Sequence, residues 1–301
     1  MNYNLLTILG PTAAGKTRLS AQIANRFNGE ILSADSRQVY LGMDIGTGKD
    51  IKDYTMNGVQ IPYHLIDIIS PKDEFSMFQF RKVFYESFLD IKERNKLPIL
   101  SGGTGLFIHS ILKNYSMQEV NFSGERFEEL SGLELDELIN ILNFQNASLH
   151  NTTDLTEKKR VIKAILIAES QGNEFTLPYN INSFVIGVRV ERSMIKENIK
   201  LRLKVRLESG MIEEAEKLIE EGITFEKLHF FGLEYKYLAL YLSGKLNYND
   251  MQQKLFSAIC EFAKKQMTWF RKMEKEGINI HWIEGADFNE AEKLVKENFG
   301  L

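Results

Sequence analysis

The strongest constraint on this chain lies near its start, where the apolar run Leu5 to Leu9 feeds Gly10-Pro11-Thr12-Ala13-Ala14-Gly15-Lys16-Thr17 and then a helical pattern. A loop of the form G-x-x-x-x-G-K-[ST] between a strand and a helix turns successive backbone N–H groups inward. There a lysine ammonium and the positive end of the following helix meet a polyphosphate. Lys16 is the cation of this cradle, and Thr17 is the residue placed to ligate magnesium. The cradle alone suggests a nucleotide-binding protein, a kinase or an ATPase. The same loop holds equally well a phosphoryl group in transfer or a diphosphate being expelled.

With 301 residues the chain can bury one large domain or one domain with a smaller insertion, and the second is expected here. A single cysteine, Cys260, excludes an intrachain disulfide and every cysteine-based metal cluster. No charged leader precedes the first apolar run, and a reducing cytoplasm is the expected compartment. That run stops at Gly10-Pro11, far short of the roughly 18 residues needed to span a bilayer, so no membrane partner is expected. The net charge of −4 makes the whole chain a poor nucleic-acid binder, so any such contact must be local.

The first hundred residues alternate short apolar runs with helical patterns. Leu19, Ile23 and Phe27 recur at helical spacing after the loop, Glu30 to Ala34 reads as a strand, and Tyr63 to Ile68 is a candidate third. A helix is expected from Ser76 to Arg94, then a strand at Pro98 to Ser101 and a Gly102-Gly-Thr-Gly105 turn. Such alternation implies an α/β fold, a P-loop NTPase-like parallel sheet flanked by helices, with ligands at the carboxyl ends of its strands. Residues 115–182 differ: Leu133 to Leu142 and Glu157 to Gln171 read as helices between polar turns, without a strand. They are expected to form a helical insertion domain between a first core segment, 1–114, and a second, 183–301. The second segment opens with strand character at Phe184 to Val190 and continues as helix over 192–209, 212–221, 233–242 and 248–275, before a short strand at 278–283.

Asp35 ends the second strand and opens Asp35-Ser36-Arg37-Gln38-Val-Tyr40. On the premise that adjacent parallel strands end side by side, its carboxylate reaches the cradle and serves as general base. Two other roles stay open, a cap for a following helix and an outer magnesium ligand.

Six segments together resemble the tRNA dimethylallyltransferase family: Gly10 to Thr17, Ser33 to Tyr40, Gly42-Met-Asp-Ile-Gly-Thr47, His64-Leu-Ile-Asp67, Gly102-Gly-Thr104 and Lys264-Lys-Gln-Met-Thr-Trp-Phe-Arg271. The resemblance covers nearly the whole chain in order. It implies transfer of a dimethylallyl group from dimethylallyl diphosphate to the exocyclic amine of adenosine 37, next to the anticodon of tRNA, with magnesium as cofactor. It also implies an insertion that grips the anticodon stem-loop. The acting form is expected to be a monomer.

By this resemblance Lys16 and the loop 10–17 hold the diphosphate together with Arg202 and Arg206, Thr17 carries magnesium, and Asp35 and Thr104 act where amine and diphosphate meet. Residues implied to meet tRNA are Asp35, Ser36, Arg37, Gln38, Thr104, Arg126, Lys159, Arg160, Val161, Ile162 and Lys163. Each has a plainer alternative. Thr104 is placed to cap a helix, Arg202 and Arg206 at i and i+4 can pair with acidic neighbours, and the basic run 158–163 can be a solvated face. His64 reads as structural, Trp269 and Phe270 as core, while Gln266 and Arg271 are candidates to face the site. Lys163 and Leu166 stand where the family usually has Arg and Glu, Cys260 where it has Arg, and the insertion is shorter. Lysine keeps a charge but gives up bidentate phosphate recognition, which implies weaker or narrower tRNA recognition. A P-loop small-molecule kinase or adenylate prenyltransferase, and a non-catalytic nucleotide- or tRNA-binding protein, are the alternative functions.

Overall fold

The computed structural model describes residues 3–118, 120, 122, 124–145, 155–170, 174–175 and 179–300. The chain forms two compact units, Met1–Lys113 with Tyr179–Leu301, and Asn114–Pro178.

The larger unit begins with β1 (Leu5–Leu9), α1 (Lys16–Phe27) and β2 (Gly29–Ala34), followed by a 3-10 turn at Ile51–Tyr54. A two-residue hairpin, β3 (Thr55–Met56) with β4 (Val59–Gln60), precedes β5 (Tyr63–His64), α2 (Met77–Glu93), β6 (Leu97–Gly102) and α3 (Gly105–Leu112). In the smaller unit, β7 (Met117–Gln118) pairs antiparallel with β8 (Glu174–Phe175), and between them run α4 (Glu125–Ser131), α5 (Leu135–Phe144) and α6 (Lys158–Glu169). The chain then completes the larger unit with β9 (Ser183–Arg189), α7 (Arg192–Glu208), α8 (Met211–Glu220), α9 (Phe225–Phe230), α10 (Leu233–Leu242), α11 (Tyr248–Lys275), β10 (Ile280–Glu284) and α12 (Phe288–Phe299).

Six strands form one sheet in the order β10-β9-β1-β6-β2-β5, with every neighbouring pair parallel. A parallel sheet covered by helices on both faces buries both sides of each strand, which explains why β1 and β2 have no exposed position. Glu30 is the exception in kind. Its carboxylate, inside β2, accepts from Arg94 and from His64 Nε2 at 2.8 Å, and Arg94 first, then His64, holds it below the usual carboxylate range. His64 is thus structural, as expected.

The strand order corrects one premise. β2 does not lie beside β1; β6 is hydrogen-bonded between them, so Asp35 and the Gly10–Thr17 loop stand two strands apart, about 10 Å. Because the chain leaves β1 toward β2 on one side and later returns as β9 on the other, the loop after β1 sits at a topological switch point. The expected third strand is also shorter than read: Leu65 and Asp67 adopt left-handed backbone (φ 62° and 55°), which ends β5 at His64.

α2 runs as its spacing predicts, with Ser76 and Gln79 closing a reciprocal capping box and Phe80, Phe84, Phe88 and Ile91 buried. The smaller unit has its own core of Leu130, Leu138, Leu142, Val161, Ile162, Ile165 and Leu166. The β7–β8 pair is a strand element in a region read as purely helical. α6 is described to Glu169, and Gln171, the expected end of that helix, lies outside the described residues.

Candidate active site

Three strand ends and the helices α1, α7 and α11 build the site. The loop after β1 carries left-handed backbone at Ala13 (φ 61°) and at Gly15 (φ 84°), the residue that caps α1. Glycine suits the second position because it lacks the Cβ that penalises this conformation. No side chain caps α1, and its first turn holds no acidic residue, so its leading N–H groups face the cradle uncompensated. Lys16 Nζ donates to Pro11 O across its own loop at 3.2 Å. Burial, then the nearby Arg202 charge, push its ammonium down to about 8, against the opposing pull of Asp35 and Asp50.

The gap between β1 and β2 is filled by the narrow end of β6. A Cβ on Gly102 would strike the backbone of Ala34, and one on Gly103 would strike Gln266 Nε2 and lie 3.3 Å from Gly10 O. Only glycines let the three strand ends converge. Thr104 follows as the residue before α3, but its hydroxyl does not cap that helix; it accepts from Ser36 N at 3.1 Å. Thr104 therefore ties the end of β6 to the segment that carries Asp35. Asp35 Oδ1 accepts from Arg37 N at 2.9 Å, an Asx-type turn that orients the carboxylate, and residues 36–39 form a turn in place of the helix its capping role required.

Gln266, on α11, is the clamp that sequence reasoning only brushed. Its Oε1 accepts from Thr12 N at 2.8 Å and its Nε2 donates to Gly103 O at 2.9 Å, so one buried amide joins the first loop to the glycine turn. The two partners fix which end of the amide is which. Thr12 is consequently a positioning residue: its N–H is committed to Gln266 and its hydroxyl accepts from Arg202 Nη1 at 3.4 Å. Gly10, Pro11 and Ala14 are buried, which leaves only their backbone to the loop's surface.

Arg202 and Arg206 come from α7, which follows β9. Arg202 donates to Gly48 O at 3.2 Å and to Asp50; Arg206, almost fully buried, lies 3.6 Å from Glu234 and 3.8 Å from Asp50. Their acidic neighbours come from distant parts of the chain, and no local spacing in the sequence marks Asp50 or Glu234.

Gln38 and Arg37, both expected to meet tRNA, also make contacts within this unit. Gln38 turns inward, accepting from Ser33 Oγ and donating to Gly48 O at 3.0 Å, so its side chain braces the loop. Arg37 is partly enclosed and stacks its guanidinium 5.2 Å over Phe230. Lys49, in the segment after Gly42, is buried against Tyr40 O, Asp44 and Asp67, which gives the His64–Asp67 and Gly42–Thr47 segments a structural reason.

In the smaller unit the basic helix divides by face. Val161 and Ile162 are buried in its core, a correction to their reading as tRNA contacts, because a 3.6-residue period turns them inward. Lys159 and Arg160 are exposed, Arg160 pairing with Glu157 at 2.9 Å. Lys163 stands 5.1 Å over the Phe122 ring, and Arg126 is held by Glu169 and Glu129, Glu169 being the first of the two to keep its guanidinium protonated. Leu166 belongs to the core there, and Cys260 lies half-buried on α11.

Residues 38–273 match the IPP transferase family. This chain belongs to that family. A protein named tRNA dimethylallyltransferase 2 from Citrifermentans bemidjiense is 52% identical over 94% of this chain and 91% of its own length. A protein named tRNA dimethylallyltransferase 1 from Geotalea uraniireducens is 48% identical over 99% of each. Among solved structures, a full-length tRNA isopentenylpyrophosphate transferase from Bacillus halodurans superposes with a TM-score of 0.71 at 31% identity, covering 99% of this chain and 97% of that one. A eukaryotic dimethylallyltransferase solved acting on tRNA shares the fold, with a TM-score of 0.75 at 19% identity. The family match begins at Gln38, after the cradle and Asp35, whereas the Geotalea relative spans them. The chain thus comprises a mostly parallel α/β unit and a smaller, mostly helical one. Among its described residues no helix is long and apolar enough to cross a membrane.

Proposed function

We propose that this protein transfers a dimethylallyl group from dimethylallyl diphosphate to N6 of adenosine 37 in tRNA, releasing diphosphate. The observation that carries this reading is the convergence at three strand ends of an uncapped helix N-terminus with Lys16, a carboxylate at Asp35, and the Thr104 hydroxyl between them.

When the carbon–oxygen bond to diphosphate breaks, positive charge grows on the allyl carbon and negative charge on the leaving group. The leading N–H groups of α1, the Lys16 ammonium and the Arg202 and Arg206 guanidiniums stabilise that negative charge. An exocyclic adenine amine is a poor nucleophile because its lone pair is delocalised into the ring, so Asp35 accepts its proton as the new carbon–nitrogen bond forms. Thr104 and Gln266 hold the strand ends in register for that approach.

A magnesium ion fits the donors present. The Thr17 hydroxyl at the start of α1 would help hold it. A magnesium ion there would supply charge neutralisation to the departing oxygens. The target base must be unstacked, which costs least in an anticodon loop. Lys159, Arg160, Lys163 and Arg126 of the smaller unit meet its phosphates. The relatives' names support a tRNA substrate, and the reaction is assigned to the cytoplasm and to a single chain.

The test uses labelled dimethylallyl diphosphate and magnesium with either an unmodified tRNA bearing adenosine 37 or free AMP. Label on the tRNA with release of diphosphate is expected. Label on AMP alone supports the adenylate prenyltransferase alternative, and label on neither overturns the assignment.

A further inference from the structure

Arg202 and Arg206 lie one turn apart on α7 and converge on one carboxylate. Asp50 Oδ2 accepts from Arg202 Nη2 and stands 3.8 Å from Arg206 Nη2. Two guanidiniums this close repel, and burial, then the Arg202 charge, hold the Arg206 guanidinium below its ordinary value. Glu234 offsets Arg206 from the other side at 3.6 Å, and burial pushes its carboxyl up in spite of that pairing. Even so, Arg206 Nε and Nη2, both buried, make no hydrogen bond to any described residue. A buried guanidinium with unused donors is a site that wants a further anion.

Asp50 is well placed to yield to one. It adopts left-handed backbone (φ 42°) at the head of the 3-10 turn Ile51–Tyr54, yet its side chain does not cap that turn and reaches instead to the arginines. Its carboxylate is 41% exposed, which leaves a path into solvent, whereas Glu234 is 23% exposed.

We propose that Asp50 is a place-holder for the substrate's phosphate: it neutralises and orients Arg202 and Arg206 in the free enzyme and gives them up when diphosphate arrives. The inference rests on reading the Gly10–Thr17 loop as a diphosphate holder. A trianionic diphosphate drawn to the same two guanidiniums repels the carboxylate, so Asp50 rotates toward water as the guest enters. When the product leaves, Asp50 returns to the arginines and competes with rebinding. It is a positioning residue, acting through the two arginines, and it sets a ceiling on diphosphate affinity in exchange for faster release.

The experiment titrates inorganic pyrophosphate, with magnesium, into the wild-type chain and into Asp50→Asn. Asparagine keeps the shape and tolerates left-handed backbone, so it removes chiefly the charge. We expect Asp50→Asn to bind pyrophosphate roughly three- to thirtyfold more tightly, with a lower KM for dimethylallyl diphosphate and a lower kcat as product release slows. Equal or weaker pyrophosphate binding by Asp50→Asn overturns the inference, because a mere staple of α7 loses affinity when cut. Wild-type protein that binds no pyrophosphate overturns the diphosphate-holder reading itself. Should the variant fail to fold, a crystal structure of the wild type with pyrophosphate decides: Asp50 released from Arg202 supports the place-holder, and an intact pair beside bound pyrophosphate overturns it.

Discussion

The two units of this protein handle positive charge in opposite ways. In the larger unit Arg206 is enclosed and Lys16 and Arg202 are partly so, and carboxylates from other parts of the chain act on each. In the smaller unit Arg126 and Arg160 are about half exposed; Arg160 pairs with Glu157 beside its own helix, and Arg126 with Glu129 on its own helix and Glu169 on α6. Enclosed charges feel little screening and act at fixed positions, while exposed pairs contribute little and exchange partners readily. On the proposed function, the first set serves the chemistry and the second a salt-sensitive grip on phosphates.

The largest expected effect is at Asp35. Asp35→Asn keeps the turn at Arg37 N but removes the proton acceptor, and turnover should fall about a hundredfold or more with tRNA affinity nearly unchanged. Rapid-quench assays with a parallel filter-binding titration check this; wild-type turnover would end the assignment of Asp35 as base.

Next is Gln266→Ala, which severs the link from Thr12 N to Gly103 O and removes the side-chain partner of one part-buried and one buried backbone group. The loop and the glycine turn then drift relative to each other, and kcat/KM should drop about ten- to a hundredfold. Thermal unfolding measured alongside separates misplacement from loss of fold.

The pH profile comes third. Lys16 is held down to about 8, so in the free enzyme it loses its charge above that pH. The log of kcat/KM for dimethylallyl diphosphate should accordingly fall with rising pH above about 8, and a profile flat to pH 10 would contradict a role for the ammonium.

The smallest effect is in the other unit. The double variant Lys159→Ala/Arg160→Ala should weaken tRNA binding several-fold and reduce the slope of log K against log salt by about 1 to 2, leaving pyrophosphate affinity intact. An unaltered slope would break the contrast between the units.

What could be read from the sequence depended on how local the structural cause is. The cradle from Gly10 to Thr17 and the helix after Ser76 were legible because spacing within a single turn or loop dictates them. Asp35 was legible as a strand-end carboxylate, but its distance from the cradle was not, because sheet order differs from chain order and β6 intervenes. Gln266, Asp50 and Glu234 find their partners some 30 to 250 residues away, and nothing in their own neighbourhoods announces it. Val161 and Ile162 went astray for another reason. A contiguous segment carried over whole from a family contains both faces of a helix, and only the exposed face of α6 can meet a ligand.

The central claim is that the larger unit performs the transfer and the smaller unit holds the tRNA. Single-turnover rates at saturating tRNA, measured side by side for Asp35→Asn and Lys159→Ala/Arg160→Ala, test it most directly. A rate at least about a hundredfold below wild type is expected for the first and a wild-type rate for the second. A normal rate for Asp35→Asn, or a collapse at saturation for the double variant, would contradict it.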